Sequence, residues 1–280
     1  MLFILLSATA LAHGEDRPVK KGILLVAFGS SEPKAQAAFK NIEDKVKAAF
    51  PGLPIYWAYT SSIIRKKLAK EGKVLDSPAL ALARMADEGF THVAVQSLHT
   101  IPGEEYNYLV QVINSQSGLP KGIKKIALGN PLLAEPQDLI KAAEALAANV
   151  PKDRQKSEAV ILMGHGTHHP SNAFYPAMQY YLWKKDPNIF IGTVEGSPSL
   201  EDILADLKQK GIKKAWLMPF MSVAGDHALN DMAGEEKDSW KSILTRAGIA
   251  CVPILKGTAE FDNLAAIWVE HLKAAMADIK

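Results

Sequence analysis

Cysteine is almost missing from this chain. Cys251 is the only one among 280 residues, which excludes an intramolecular disulfide. Its apolar setting, residues 249–254, is typical of a buried strand cysteine rather than a reactive thiol. Any metal site must therefore use His, Asp or Glu.

An excess of one charge is also missing. The net charge is +2 with no long block of one sign, which argues against nucleic acid as the main partner. The chain is 48% hydrophobic and 22% charged, as in an ordinary soluble globular protein. Its length allows one large domain or two smaller lobes.

Three cofactor and catalytic motifs are absent from the sequence. It has no Gly-x-x-x-x-Gly-Lys-Ser/Thr, no Gly-x-Gly-x-x-Gly after a strand and no His-Glu-x-x-His. We therefore expect no nucleotide cofactor and no metalloprotease chemistry of the usual kind.

Long apolar runs are missing as well. The longest one near the start, residues 2–12, is shorter than the roughly 20 residues that span a bilayer, but it fits the apolar core of a secretory signal. It ends in Ala-Leu-Ala, a pattern typical of cleavage sites, although no Lys or Arg precedes it. We expect a signal peptide over residues 1–12 and a periplasmic mature protein beginning at His13, with the cytoplasm as the alternative.

Strand-like and helix-like segments alternate along the chain. In the first half, strands are predicted at residues 22–28, 54–59, 91–98 and 123–127, with helical sequence over 33–49, from 60 to 89, over 104–115 and over 135–148. This alternation favours an α/β fold with parallel sheets.

The second half of the sequence repeats the first. Residues 23–30 align with 160–167, residues 55–62 with 190–197, and residues 89–105 with 211–227. Such a repeat predicts two similar Rossmann-like lobes with an active-site cleft between them. We place the N-terminal lobe at residues 13–150 and the C-terminal lobe, with the metal site, at 151–280.

Three chemically active residues follow predicted strands of the second half. His165 lies between two glycines after an apolar strand, Glu195 follows the next strand, and His227 follows the third. Open α/β sheets bind ligands at the carboxyl ends of their strands. Two histidines and a carboxylate there form either a metal-binding set or an acid–base set. Asp226 is either a partner of a neighbouring group or a helix cap. His168 and His169 lie in a metal-entry site or a solvated loop.

Four further residues are candidates for binding a substrate. Phe28 occupies the position of His165 in the first repeat, and His99 aligns with Met221, which places both near the cleft. Tyr175 belongs to an aromatic segment that follows His165. Aromatic and Met side chains at a cleft would suit a large, flat, apolar ligand, although core packing explains most such residues.

The strand-end motifs resemble those of the class II tetrapyrrole chelatases, and most closely the anaerobic-pathway sirohydrochlorin cobaltochelatases. The resemblance covers the chain from about Gly22 to its end. It rests on Leu-Met-Gly-His-Gly-Thr-x-His, on Gly-Thr-Val-Glu-Gly, on Met-Pro-Phe-Met-x-Val-Ala-Gly-Asp-His-Ala-x-Asn-Asp-Met and on the first-lobe Ala-Phe-Gly-Ser-Ser.

The resemblance implies insertion of Co²⁺, or Fe²⁺, into sirohydrochlorin without ATP. It further implies that His165 and His227 bind the metal and accept the pyrrole protons, and that Glu195 completes the ligand set. Imidazole and carboxylate suit both ions, so the sequence does not choose between them.

Two other functions fit part of the pattern. A periplasmic carrier of metal or tetrapyrrole would also have two lobes and a histidine-lined cleft, but it would bind without turnover. A metal-dependent hydrolase would need a second metal cluster or an oxyanion device, and the sequence has neither in evident form. The oligomeric state is open, and a homo-oligomer is compatible with the sequence.

Overall fold

The computed structural model of the protein describes residues 17–280. The signal peptide predicted over residues 1–12 lies outside the described residues. Within these described residues, eight parallel strands form two four-stranded sheets. They are β1 (Lys21–Ala27), β2 (Ile55–Tyr59), β3 (His92–Ser97) and β4 (Lys125–Gly129) in the first sheet, and β5 (Ala159–Gly166), β6 (Ile189–Glu195), β7 (Lys214–Pro219) and β8 (Ala250–Pro253) in the second.

Helices cover the faces of both sheets. Those in the described part of the chain are α1 (Gln36–Ala49), α2 (Ser62–Lys70), α3 (Pro78–Asp87), α4 (Glu104–Gln116), α5 (Pro136–Ala148), α6 (Phe174–Lys185), α7 (Leu200–Gln209), α8 (Trp240–Arg246) and α9 (Asp262–Asp278). Within residues 17–280, none has both the length and the apolar character needed to cross a membrane.

The two sheets have the same topology. Their strand orders are β2-β1-β3-β4 and β6-β5-β7-β8, so each strand of the first half has its counterpart in the second. The central strands β1 and β5 are apolar along almost their whole length, because helices bury both of their faces. The predicted α/β fold with two similar lobes is confirmed.

One predicted helical segment is divided in two. The stretch from residue 60 to 89 contains α2 and α3, separated by a connection in which Gly72 has a φ of +80°. Ser77 then caps α3 by accepting a hydrogen bond from the Leu80 amide, and Pro78 occupies the first turn. Asp76 pairs with β2 in an isolated bridge, which holds the connection against the edge of the first sheet.

The last helix crosses between the lobes. The indole of Trp268 donates to the His99 carbonyl at 3.3 Å, and His271 contacts Asp138 at 3.1 Å, so α9 packs against β3, β4 and α5. The boundary at residue 150 stays a prediction, but α9, which the prediction assigns to the C-terminal lobe, lies on the N-terminal sheet. The sequence repeat ends before α9 and therefore gave no sign of this docking.

Candidate functional site

His165 lies near the end of β5, the strand between β6 and β7. The glycines on either side of it are required by close packing. A Cβ on Gly164 would lie 2.3 Å from the Tyr175 ring, and one on Gly166 would lie 1.8 Å from the Glu195 carbonyl oxygen. Gly166 also has a φ of +81°, which side chains rarely adopt. The two glycines therefore fix where the imidazole emerges from the sheet.

The structure brings His227 next to His165. Their ring centroids are 4.8 Å apart and their planes meet at 86°. His227 comes after β7 and directly before a π-helical turn, Ala228–Met232. Because β5 and β7 are neighbours, loops at their carboxyl ends meet at the same edge of the sheet.

Hydrogen bonds orient both imidazoles in the same sense. The Nδ1 of His165 lies 2.9 Å from the carbonyl oxygen of Gly166, and the Nδ1 of His227 lies 2.5 Å from Oδ2 of Asp231. Both partners are acceptors, so each Nδ1 carries a proton and donates it. The Nε2 atoms are thereby left as lone-pair donors, the form that binds a metal ion or accepts a proton.

Asp231, rather than Asp226, is the carboxylate that supports His227. Asp226 Oδ1 instead accepts a hydrogen bond from the Asn230 side chain at 2.9 Å. Of the two roles considered for Asp226, partner of a neighbouring group and helix cap, the structure shows the first, but the group is Asn230 and not the imidazole. The sequence carried a usable signal, because residues four apart on a helical turn face each other.

Glu195 ends β6, the neighbouring strand on the other side of β5. It is exposed, and its backbone pairs in register with Gly166. Within residues 17–280, no three His, Cys, Asp or Glu side chains are close enough together to hold a metal ion. The site is thus a pair of adjacent imidazoles with a carboxylate on the next strand, and the role of Glu195 as the third ligand stays a prediction.

His169 joins the two lobes. The Ser171 amide donates to its Nδ1 at 3.2 Å, and its Nε2 lies 3.1 Å from the side-chain amide nitrogen of Asn107, on α4. Both ring nitrogens are therefore engaged, whereas His168 is exposed. Of the two residues considered for metal entry, His168 is the more exposed.

The four candidate substrate-binding residues differ in exposure. Phe28 is 45% exposed although it follows a buried strand, and Met221 is half-buried. Tyr175 is only 2% exposed, and its hydroxyl accepts from the Gly166 amide at 3.3 Å. Burial raises the pKa of Tyr175 to about 12, so the hydroxyl stays protonated. Tyr175 therefore supports the His165 segment, and its contact with a substrate stays a prediction.

The imidazole of His99 is largely buried at the end of β3. Its Nδ1 lies 2.8 Å from the Ser97 hydroxyl, and its Nε2 is buried without a hydrogen-bond partner in the described part of the chain. Burial lowers the pKa of His99 to about 4, so the ring is neutral. Alignment with Met221 places the His99 backbone correctly at the end of β3, and the contact of its ring with a substrate stays a prediction.

Comparison with known proteins gives one family. The model of the family described as cobalt chelatase (CbiK) matches residues 21–277. A relative from Nitratidesulfovibrio vulgaris, sirohydrochlorin cobaltochelatase CbiKC, is 45% identical over 258 residues, covering 92% of this chain and 91% of the relative. The sirohydrochlorin cobaltochelatase of Salmonella typhimurium is 36% identical over 262 residues, covering 92% and 97%.

Solved structures agree in fold. SirB from Bacillus subtilis with Fe³⁺ has a TM-score of 0.59 at 15% identity, covering 94% of this chain and 99% of that one. The sirohydrochlorin chelatase SirB from Bacillus subtilis subspecies spizizenii in complex with cobalt also has a TM-score of 0.59, at 14% identity, covering 92% and 95%. At these identities the likeness concerns the two-lobed α/β architecture.

Proposed function

The chain belongs to the cobalt chelatase (CbiK) family, and from that premise we propose that it inserts Co²⁺ into sirohydrochlorin without nucleotide hydrolysis. The observation that carries the proposal at this site is the pair of adjacent imidazoles, each with its Nδ1 proton held by an acceptor. The absence of a phosphate-binding glycine motif supports insertion without ATP.

The two Nε2 atoms can serve both halves of the reaction. Insertion replaces two pyrrole protons of the ring with one divalent cation, so a base must remove protons while the ion is delivered. A neutral imidazole can donate its lone pair to the metal, and once the metal has left it can accept a proton. His165 and His227 are close enough to act on the same ion and the same macrocycle.

A substrate metal must be released after it is bound. Two imidazoles offer fewer ligands than a closed four-ligand site, which would hold the ion too tightly for transfer. We place Glu195 as the ligand that completes the set when the ion arrives, since its strand pairs directly with that of His165. Imidazole and carboxylate also suit Fe²⁺, which we propose as a second substrate metal.

The test is anaerobic incubation with sirohydrochlorin and Co²⁺, followed by the absorption spectrum. We expect multiple turnovers for the wild type and turnover near the enzyme-free rate for His165→Ala and His227→Ala. The control is His168→Ala, because His168 is exposed and lies on the same loop. Binding of pigment or metal in a single stoichiometric step, with no acceleration of metallation, would instead identify a carrier.

Two further proposals concern the protein in the cell. The signal-like residues 2–12 support export to the periplasm, which cell fractionation and N-terminal sequencing of the mature protein would test. Cytoplasmic protein that keeps these residues would contradict export. A homo-oligomer is compatible with the sequence, and light scattering in solution would measure the oligomeric state.

A further inference from the structure

Helix α2 begins at the cleft edge of the first lobe. It follows β2, and its N-cap residue Ser61 donates its backbone N–H to the carbonyl oxygen of Phe28 at 3.2 Å. This hydrogen bond ties the first turn of α2 to the end of β1. Phe28, the counterpart of His165 in the repeat, therefore lies beside the start of α2.

The outer face of this helix combines one apolar residue with lysines. Ile63, Lys66 and Lys67 are three and four residues apart, so they lie on one stripe, and all three are exposed, Ile63 to 75%. The opposite side, which includes Leu68, packs on the lobe. No ion pair within residues 17–280 neutralises Lys66 or Lys67. Side chains on a helix lean toward its N-terminus, which directs both lysines toward the cleft edge.

Arg65 adds a fixed positive charge at the same edge. One guanidinium nitrogen, Nη1, donates to the carbonyl oxygens of Tyr59 and Thr60, the latter at 2.8 Å. These carbonyls lie where β2 ends, so the guanidinium is held at the carboxyl end of the sheet. Among residues 17–280, no acceptor bonds its Nε or Nη2 group, so both can donate to a ligand.

The equivalent edge of the second lobe has the opposite charge. Glu195 occupies the position of Thr60 in the repeat, and the first turn of α7 carries Glu201 and Asp202. The two lobes therefore present different chemistry to the cleft: a carboxylate and imidazoles on one side, and lysines, arginine and exposed apolar groups on the other. A cation and a ligand with anionic groups around an apolar centre match these two sides.

We propose that the start of α2 binds the tetrapyrrole by its carboxylate side chains. Arg65, Lys66 and Lys67 pair with carboxylates at the rim of the macrocycle, while Phe28 and Ile63 contact its apolar face. The proposal rests on the proposed function, because it takes sirohydrochlorin as the ligand. It assigns recognition of the pigment to the first lobe and delivery of the metal to the second.

The test compares Lys66→Glu and Lys67→Glu with Lys70→Glu. Lys70 is an exposed lysine of the same helix, about 6 Å further from its start, and the charge change is the same. For the first two variants we expect the KM for sirohydrochlorin, and the Kd measured by absorbance titration without metal, to rise about tenfold. Their kcat should stay within twofold, because the imidazoles are untouched, and Lys70→Glu should match the wild type.

Two additional measurements sharpen the result. Raised salt should weaken pigment binding by the wild type more than by Lys66→Glu, because exposed charges are screened. A sirohydrochlorin methyl ester, which has no free carboxylates, should bind the wild type and Lys66→Glu equally.

Equal effects of Lys66→Glu and Lys70→Glu, or a loss of kcat at unchanged KM, would overturn the proposal. If the wild type binds the pigment without turnover, the proposed function fails while the titrations still decide the binding site; if it binds no pigment, both fail.

Discussion

Asp231 offers the most specific test of the site. Its carboxylate lies 2.5 Å from Nδ1 of His227, and the side chains of His227 and Asp231 are 35% and 45% exposed. A hydrogen bond to a charged partner contributes roughly 1.5–3 kcal/mol, and exposure to water places this one at the lower end. We therefore expect Asp231→Ala to lower kcat/KM for Co²⁺ insertion about tenfold, since about 1.4 kcal/mol corresponds to a factor of ten.

The conservative variant separates orientation from charge. In Asp231→Asn the amide oxygen can still accept the Nδ1 proton, so the imidazole keeps its tautomer and loses only the charged partner. Its activity should lie between those of the wild type and Asp231→Ala. The assay is steady-state metallation with Co²⁺ and pigment varied in turn, together with ¹⁵N NMR of the histidine rings, which reports which nitrogen carries the proton.

Asp226→Asn is the matched control. Asp226 is adjacent to His227 in sequence, but its carboxylate bonds Asn230 and not the imidazole. We expect its kcat/KM to stay within about twofold of the wild type, as for surface changes remote from the reacting groups. An equal loss in Asp226→Asn and Asp231→Asn, or a fully active Asp231→Ala with an unchanged tautomer of His227, would refute the orientation argument.

Three further predictions concern stability. The pKa of His99 is about 4 in the folded protein and about 6.5 when exposed, so the unfolded chain binds more protons between these values. The free energy of unfolding should therefore fall by about 3 kcal/mol as the pH drops from 6.5 to 4. In urea unfolding, His99→Leu should flatten this pH dependence, whereas the exposed control His168→Ala should not. Gly166→Ala should lower the thermal unfolding midpoint more than Gly248→Ala does. Both glycines have a positive φ, but only at Gly166 would the new Cβ lie 1.8 Å from a backbone atom. Equal decreases of the midpoint in the two variants would show that the surrounding structure shifts to accommodate the new Cβ. Tyr175→Phe should lower the free energy of unfolding by about 1 kcal/mol, because the Gly166 amide loses its hydrogen-bond acceptor. An unchanged unfolding midpoint would contradict this prediction.

The local pattern of the sequence was enough to predict the fold and the meeting of the two histidines. Strand-helix alternation predicts parallel sheets, and in a parallel sheet the carboxyl ends of neighbouring strands share one edge. Because β5 and β7 are neighbours, His165 and His227 had to approach each other. The internal repeat predicted two similar lobes, which the structure confirms.

The details that the sequence did not reveal depend on side-chain direction and long-range packing. Alignment placed the backbone of His99 at a strand end, but whether an imidazole turns to the cleft or the core depends on the packing around it. The sequence places both Asp226 and Asp231 near His227, and the geometry of the turn at residues 228–232 selects Asp231 as the partner of the imidazole. The docking of α9 on the opposite lobe is a contact between segments far apart in sequence, and no local periodicity encodes it.

The path of α9 makes the two lobes inseparable. The backbone leaves the first sheet after β4 and α5 and returns to it with α9, so no single cut yields two self-contained halves. A fragment that stopped before Asp262 would leave apolar side chains of the first sheet in water, and a fragment consisting of the second half would carry an apolar helix with nothing to cover it. The two lobes are thus expected to fold and unfold together as one unit.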